Sequence, residues 1–302
     1  MLLGVVFYLV VHYLPWGTGK LEGGYLSFCG IVQPVCICMM LVLQMNLISP
    51  KDLKLHRWHF KLLGIQAAIA LVSAVLVTLV PNPVAALLLE SVFLCFVCPT
   101  AAAAGVITTK LGGNLSGVMT YTVLANTMAS VLIPLLVPFQ HPTADLGFIQ
   151  LFWIVLRRVF SLLLLPLAAA WLIRLFLPKV QKWLEKFAPL AFYIWGFSLL
   201  FSISLATASL FGSGIGVLPL FAIGIVSLAC CIAQFYLGRR TARRYGYAES
   251  VTAGQAMGQK NTGFIIWLGV NYLTPVTSIA GGLYAIWHNL VNSWELQRQE
   301  GK

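Results

Sequence analysis

One lysine, Lys260, stands alone in a long apolar segment beside a cluster of polar side chains. It is the one formally charged residue between Ser250 and Trp294. An ammonium group offers three hydrogen-bond donors, and ionisable groups at membrane depth usually mark a site of binding or transport. We therefore take the stretch QAMGQKNTGF, residues 255–264, as the first candidate site. The polar neighbours that could cap the chain there or line a cavity are Gln255, Gln259, Asn261 and Thr262.

The depth of Lys260 argues against a lysine that merely reaches the headgroups. If its span starts near Ser250, Lys260 lies ten residues in, which is about 15 Å along a helix and near the midplane of a roughly 30 Å hydrocarbon core. A lysine stem extends only about 6 Å, so snorkelling to the interface would be strained. The sequence therefore favours a functional role for Lys260.

A second apolar segment carries an interruption of its own, in the stretch CPTAAAAGVITT at residues 98–109. Pro99 removes a backbone donor and clashes with the preceding helical turn. Small residues follow at once, and Thr100 supplies a hydroxyl. Non-helical backbone at membrane depth is tolerated only inside protein or beside a water-filled cavity. The sequence therefore predicts two broken helices that line a buried site.

Further polar side chains inside apolar runs are secondary candidates for a proton or anion site. Glu90 is a possible partner of Lys260 or proton carrier, with an outward-facing position as the alternative. Arg157 and Arg158 could attract an anion or anchor their helix at the interface. His288 and Asn289 could line the site, although packing between helices is the commoner role of such residues.

The composition places these candidates in a membrane protein. Hydrophobic residues make up 60% of the 302 residues and charged residues 9%, whereas soluble domains carry about 25% charged residues. The mean hydropathy is +0.90. The net charge of +11 comes from basic residues in short connections between apolar runs, a pattern that sets membrane topology and does not indicate a nucleic-acid partner.

Ten candidate spans follow from runs of roughly 20 apolar residues. Basic residues cluster after the even-numbered spans, so the positive-inside rule predicts that both termini are cytoplasmic, in the cell (inner) membrane. The spans lie at about 2–15, 26–47, 60–80, 84–109, 114–139, 148–177, 188–210, 215–238, 248–272 and 276–296. The basic residues are Lys51, Lys54, Arg57, Lys61, Lys110, Arg174, Lys179, Lys182, Lys186, Arg239, Arg240, Arg243, Arg244, Arg298 and Lys302.

The two interrupted spans are the fourth and the ninth, which correspond in two five-span halves. That arrangement is typical of secondary transporters built from inverted repeats. No residue-level identity relates the halves, so the repeat is predicted from organisation. The fold class is an all-α polytopic membrane protein with ten transmembrane helices.

The sequence resembles the bile acid:sodium symporter family over nearly the whole chain. The local matches are residues 98–121, MGQKNTGFIIWLG at 257–269 and GGLYAIWHN at 281–289. The resemblance implies a panel domain beside a core domain in which two broken helices cross. It implies alternating access and a substrate that is an organic anion, such as a bile acid or a small carboxylate. The implied panel parts are 1–57 and 140–212, and the implied core parts are 58–139 and 213–302.

The resemblance fails at several positions that bind sodium in coupled members of the family. A Ser-Asn pair that follows the proline in that family aligns with Ala104 and Gly105. A downstream serine ligand aligns with Val118, whereas the threonine of the fifth span is kept as Thr122. Most of the side-chain oxygens that bind sodium in that family are therefore missing here.

The ninth span departs further. The glutamate that the family shares between both sodium sites aligns with Ala256, and a glutamine ligand aligns with Lys260. Gln66 matches another glutamine of the site, with a gap of one residue in the alignment. We expect that Lys260 replaces the sodium ion and that transport is sodium-independent. Two alternatives stay open, in which Lys260 exchanges a proton or binds the anionic substrate directly.

Competing functions are a sodium-coupled symporter with a reduced site, an arsenite-type efflux carrier suggested by Cys98 beside the break, and a sensor that binds without transport. An intramembrane enzyme would need paired acids, a Ser/His set or a metal site at depth, and the sequence offers none, so we expect no enzyme activity, cofactor or metal. The seven cysteines lie in apolar runs without metal-site spacing. The expected partners are a small organic anion, the bilayer, and H⁺ rather than Na⁺ if an ion is coupled.

Overall fold

Helices account for nearly all of the protein that the computed structural model describes, which is residues 2–13, 20–101, 103–142 and 146–300. No β-strand occurs in these ranges, so the prediction of an all-α chain is confirmed for them. Lys302, one of the charges used to predict topology, lies outside the described residues.

Thirteen α-helices are present in the described ranges. They are α1 (Leu2–Tyr13), α2 (Lys20–Met45), α3 (Arg57–Leu79), α4 (Pro83–Val97), α5 (Ala104–Lys110), α6 (Leu115–Gln140), α7 (Phe148–Phe176), α8 (Pro178–Glu185), α9 (Leu190–Ser213), α10 (Val217–Ala242), α11 (Tyr247–Gly258), α12 (Thr262–Tyr272) and α13 (Ser278–Glu300). Short 3-10 helices cover Pro50–Asp52, Arg243–Tyr245 and Pro275–Thr277.

Six of these helices are long and apolar enough to cross a membrane: α2, α3, α6, α7, α9 and α10. The protein is therefore membrane-embedded and helical, while the ten-span repeat stays a prediction. The segments predicted as spans four and nine are each divided into two helices, α4 with α5 and α11 with α12. Neither half of such a pair reaches the roughly 20 residues that a crossing needs.

Two groups of helices can be distinguished, and they are joined by the packing of α6 on α7. In one, α2 lies against α7 and α9, and α1 lies against α9. In the other, α3 packs on α4 and α6, and α10 packs on α4, α11 and α13. The helices α10 and α11 lie so close together that a Cβ on Gly238 would be 2.3 Å from the carbonyl oxygen of Ala253. Glycine is required there because any side chain would separate the two helices.

Local sequence explains where the helices of the second group begin. Asn82 caps α4 by accepting hydrogen bonds from the backbone N–H groups of Val84 and Ala85, with Pro83 in the first turn. Asn114 caps α6 in the same manner through Gly117. Each cap satisfies donors that the first turn of a helix leaves free.

Candidate functional site

The two breaks meet each other in the interior of the protein. Thr100 and Lys260 form an isolated antiparallel bridge. The N–H of Ala101 donates to the carbonyl of Gln259 at 2.9 Å, and the N–H of Asn261 donates to the carbonyl of Pro99 at 3.0 Å. These bonds satisfy backbone groups that the interrupted helices leave without partners, as a membrane interior requires. We call this junction the crossing.

The side chain of Lys260 is wholly enclosed at the crossing. The residue is 0% exposed, and its Nζ donates a hydrogen bond to the carbonyl oxygen of Cys98 at 2.9 Å. Cys98 is the C-terminal cap of α4, so the ammonium lies at the negative end of that helix dipole. None of the ion pairs among the described residues includes Lys260.

Gln66 of α3 shares the same acceptor. Its Nε2 donates to the carbonyl of Cys98 at 3.2 Å, and the hydroxyl of Tyr121 donates to its Oε1 at 2.8 Å. Gln66, Tyr121 and Lys260 are all fully buried. The structure thus brings two predicted site residues, Gln66 and Lys260, to one carbonyl, and it adds Tyr121, which sequence reasoning missed.

The positions aligned with sodium ligands lie close to the crossing but offer few free oxygens. Ala104 and Gly105, in the first turn of α5, are buried, and neither side chain carries an oxygen. Thr122 is buried, and its hydroxyl donates to the carbonyl of Val118 at 2.9 Å. Thr100 is buried and donates to the carbonyl of Ala256 at 2.6 Å. Both threonine hydroxyls therefore donate their hydrogen to backbone carbonyls.

A chain of polar side chains leads away from the second break toward the end of α13. Gln259 bonds to Gln255, and Gln255 donates from Nε2 to Oε2 of Glu295 at 2.8 Å. Oε1 of Glu295 accepts from Nε and Nη2 of Arg239 at 3.0 and 2.6 Å. Gln255 does not belong to the wall of the cavity described next, and its hydrogen bonds brace the break.

A cavity of about 450 Å³ lies between the two helix groups, against the crossing. Its wall combines residues from α2, α5, α13, both breaks and the start of α9. No aspartate or glutamate among the described residues belongs to this wall, whereas Lys110 and Lys260 do. The polar residues of the wall are Gln44, Lys110, Tyr193, Trp195, Gln259, Lys260, Asn261, Thr262, His288, Asn289 and Asn292.

The start of α12 presents hydrogen-bonding groups to this cavity. Asn261 caps the helix by accepting from the N–H of Phe264 at 3.2 Å. The hydroxyl of Thr262 and the Nδ1 of His288 are buried and have no hydrogen-bond partner among the described residues. Helix N-termini carry partial positive charge and free N–H groups, which favour an anion. The cavity can therefore hold an anionic group at the start of α12.

The secondary candidates divide between this cavity and other places. His288 and Asn289 lie in its wall. Arg157 and Arg158 are exposed on α7 and do not line it. Glu90 is 2% exposed, and its carboxylate accepts from Thr274, Thr277 and His141 rather than from Lys260.

Gln44 and Asn292 are wall residues that sequence reasoning missed. Asn292 had a detectable signal, because it follows Asn289 and His288 by three and four positions on one helix, and residues at that spacing share a face. Gln44 had no comparable signal, since its place in the wall depends on how α2 packs against the second group of helices.

Comparison with family models and with curated proteins gives no match for this chain. Its kinship with the bile acid:sodium symporter family therefore stays a hypothesis carried by the residues of the two breaks and of α13. The function of the site is inferred from its own geometry.

Proposed function

We propose that this protein is a secondary transporter of the bile acid:sodium symporter type, which carries a small organic anion by alternating access without sodium. The observation that carries the proposal is the position of Lys260. Its ammonium is enclosed at the crossing and donates to the carbonyl of Cys98. In this proposal the ammonium of Lys260 takes the place of the sodium ion that the resemblance implies at this position.

Two features of the crossing disfavour sodium binding. Sodium at membrane depth needs oxygen ligands and compensating negative charge, and the side chains of Ala104, Gly105, Val118 and Ala256 provide neither. A sodium ion would also lie beside Lys260. Two like charges about 4 Å apart repel by about 4 kcal/mol at an effective dielectric constant near 20.

The burial of Lys260 also bears on how the substrate is held. Because the ammonium points to Cys98 and the residue is 0% exposed, direct binding of the substrate to this charge is disfavoured. The cavity offers other groups that favour an anion, namely Lys110, the start of α12, and the unpartnered atoms of Thr262 and His288. Ile37, Leu41 and Val106 give the same cavity an apolar wall. The expected substrate is an organic anion with an apolar body.

The proposed mechanism moves the helices that carry the crossing against the helices that face it. The cavity lies between α2 and the start of α9 on one side and the breaks and α13 on the other, which is where alternating access requires the substrate. Lys110 and Ala188 extend the wall toward connections whose charges predict the cytoplasmic side. The proposal includes ten spans, an inverted repeat, the panel and core domains, and cytoplasmic termini in the cell membrane.

The test uses the purified protein and a panel of probes, namely taurocholate and short hydroxy and oxo carboxylates supplied as choline salts. Thermal unfolding first identifies probes that stabilise the protein. Uptake of those probes into proteoliposomes is then measured in sodium and in potassium. We expect uptake that is equal in the two salts. Uptake that rises steeply with sodium would refute the replacement of the ion by Lys260.

Two further arms separate the alternatives. A pH gradient across the liposomes drives uptake if Lys260 exchanges a proton, and has no effect if it stays charged throughout the cycle. Probes that stabilise the protein without crossing the liposome membrane indicate a sensor, and would overturn transport while leaving the binding site in place.

A further inference from the structure

A basic groove lies on the outside of the protein, at the ends of α3 and α10 that the loop charges place on the cytoplasmic side. It encloses about 600 Å³. Its wall consists of Lys61, Gly64, Ile65, Ala68, Thr241 and Arg244. The groove shares no residue with the cavity at the crossing.

The α3 side of the groove is a single helix face with a gap in it. Lys61, Gly64, Ile65 and Ala68 occupy positions i, i+3, i+4 and i+7, so they lie along one stripe of α3. A Cβ built on Gly64 would meet no atom within 4 Å. A small residue in an open place leaves a channel that runs from Lys61 toward the middle of the helix.

No described acidic side chain forms an ion pair with Lys61 or Arg244 of this groove. The described ion pairs join His12 with Glu22, His141 with Glu90, and Arg239 with Glu295. The guanidinium of Arg244 contacts only the neutral Tyr245 among its described partners, at 2.5 Å to the hydroxyl and 4.7 Å to the ring centre.

The acids nearest to Lys61 and Arg244 in the chain are already engaged. Asp52 accepts a hydrogen bond from the N–H of Ser49 at 3.3 Å, and Glu249 accepts hydrogen bonds from Trp58 and Asn114. Lys61 and Arg244 are both exposed, so they can bind an anion from outside the chain.

The surroundings indicate what that anion is attached to. Both helices of the groove are long and apolar enough to span a membrane. Phe60, beside Lys61, is 58% exposed, and Tyr236 on α10 is 62% exposed, which suits contact with lipid. Basic pockets between spanning helices on the cytoplasmic side bind anionic lipid headgroups.

We propose that this groove binds an anionic phospholipid, with its phosphate between Lys61, Thr241 and Arg244 and an acyl chain along Gly64 and Ala68. Lys61 and Arg244 supply charge, the hydroxyl of Thr241 supplies a donor, and the apolar stripe of α3 covers the chain. Zwitterionic lipids carry the same phosphate without net charge, so the groove should select against them.

The first experiment measures lipid retained by the purified full-length protein, by native mass spectrometry, after exchange into dioleoylphosphatidylglycerol or dioleoylphosphatidylcholine. Lys61→Gln with Arg244→Gln should lower retention of the anionic lipid by roughly thirtyfold, as expected for the loss of two basic groups near a headgroup. Lys179→Gln with Lys182→Gln, which removes two exposed charges from α8, should leave retention unchanged. Equal retention by the Lys61/Arg244 variant and the wild type would overturn the proposal.

A second experiment separates a lipid from a soluble phosphate ester. Gly64→Leu fills the channel without changing charge and should lower retention of phosphatidylglycerol. Gly24→Leu is the control, because a Cβ at that helical glycine also meets nothing within 4 Å. If glycerol 1-phosphate displaces the lipid fully and Gly64→Leu has no effect, the groove binds a phosphate ester and the lipid proposal is wrong. Thermal unfolding of each variant confirms that it is folded.

Discussion

Lys260 and Glu90 are both buried ionisable residues near a broken segment, but the protein surrounds them in opposite ways. The Glu90 carboxylate accepts from the N–H of Thr274 at 2.6 Å, the hydroxyls of Thr274 and Thr277 at 2.9 Å each, and Nε2 of His141 at 3.2 Å. Lys260 carries three donors and forms one described hydrogen bond, to Cys98.

We interpret the difference as one between a structural charge, Glu90, and the charge of the proposed transport site, Lys260. Glu90 lies where the 3-10 helix Pro275–Thr277 leads into α13, and a carboxylate stabilises the positive end of a helix. Its hydrogen bonds account for its burial. Lys260 has no carboxylate partner and fewer bonds than its donors allow, so stability alone does not explain its presence. We therefore expect the two residues to respond differently to mutation.

The largest expected effect is that of Lys260→Met on transport. Uptake should fall at least about tenfold, which corresponds to about 1.4 kcal/mol, because the cation at the crossing is lost. The melting temperature should stay the same or rise, since an apolar side chain of similar length avoids the desolvation of a buried charge. Lys179→Met, on the exposed face of α8, is the matched control. Normal uptake by Lys260→Met would refute a role in transport for the cation at the crossing.

Glu90→Gln should show the reverse pattern. Both carboxylate oxygens of Glu90 accept hydrogen bonds, whereas glutamine has an N–H₂ donor in place of one oxygen. That buried donor would have no acceptor, at a cost of about 1–3 kcal/mol. We expect a lower melting temperature in detergent and nearly normal uptake per folded molecule. Asp52→Asn, at an exposed acid, should change neither quantity. Loss of uptake without loss of stability would instead assign Glu90 to the transport cycle.

Gln66→Leu tests the second donor to Cys98. The change removes one hydrogen bond to that carbonyl and leaves the Tyr121 hydroxyl without its acceptor. Uptake should fall several-fold, with destabilisation of about 1 kcal/mol. Tyr121→Phe, which deletes only the hydroxyl, should have the smaller effect on uptake. If both variants reduce uptake equally, Gln66 acts through Tyr121 and not through the crossing.

The smallest expected effect is that of Thr262→Val. The buried hydroxyl of Thr262 has no hydrogen-bond partner in the part of the chain that the structure describes, so its removal should leave stability nearly unchanged. The half-saturating concentration of a transported anion should rise a few-fold if this hydroxyl donates to it. Thr108→Val is the control, because its hydroxyl is also buried without a partner but does not line the cavity. Equal effects of the two variants on affinity would remove Thr262 from the substrate site.

Much of the site was predictable because membrane burial makes polar residues conspicuous. Lys260, Gln259, Asn261 and Thr262 stand out in an apolar run, and the structure places all four in the cavity wall. The break after Val97 was predictable as well, since proline cannot continue the hydrogen bonds of a helix.

Other features depended on long-range packing. Gln255 could have capped the break or lined the cavity, and it donates to Glu295 on α13 instead of lining the cavity. Arg157 and Arg158 were candidates for the cleft, but α7 leaves both exposed and outside the cavity. Sequence periodicity indicates where a helix runs, whereas the rotation of the helix against its neighbours decides which side chains meet.

The sequence by itself determined that the protein is helical and membrane-embedded, where its helices break, and that one lysine lies at the second break. Those properties follow from local hydropathy, from proline and glycine, and from the cost of an isolated charge in an apolar segment. The tertiary structure alone decided that Lys260 faces the carbonyl of Cys98, 162 positions away, and that Glu90 does not. A contact between distant parts of the chain depends on the packing of all the helices between them, which local patterns do not encode.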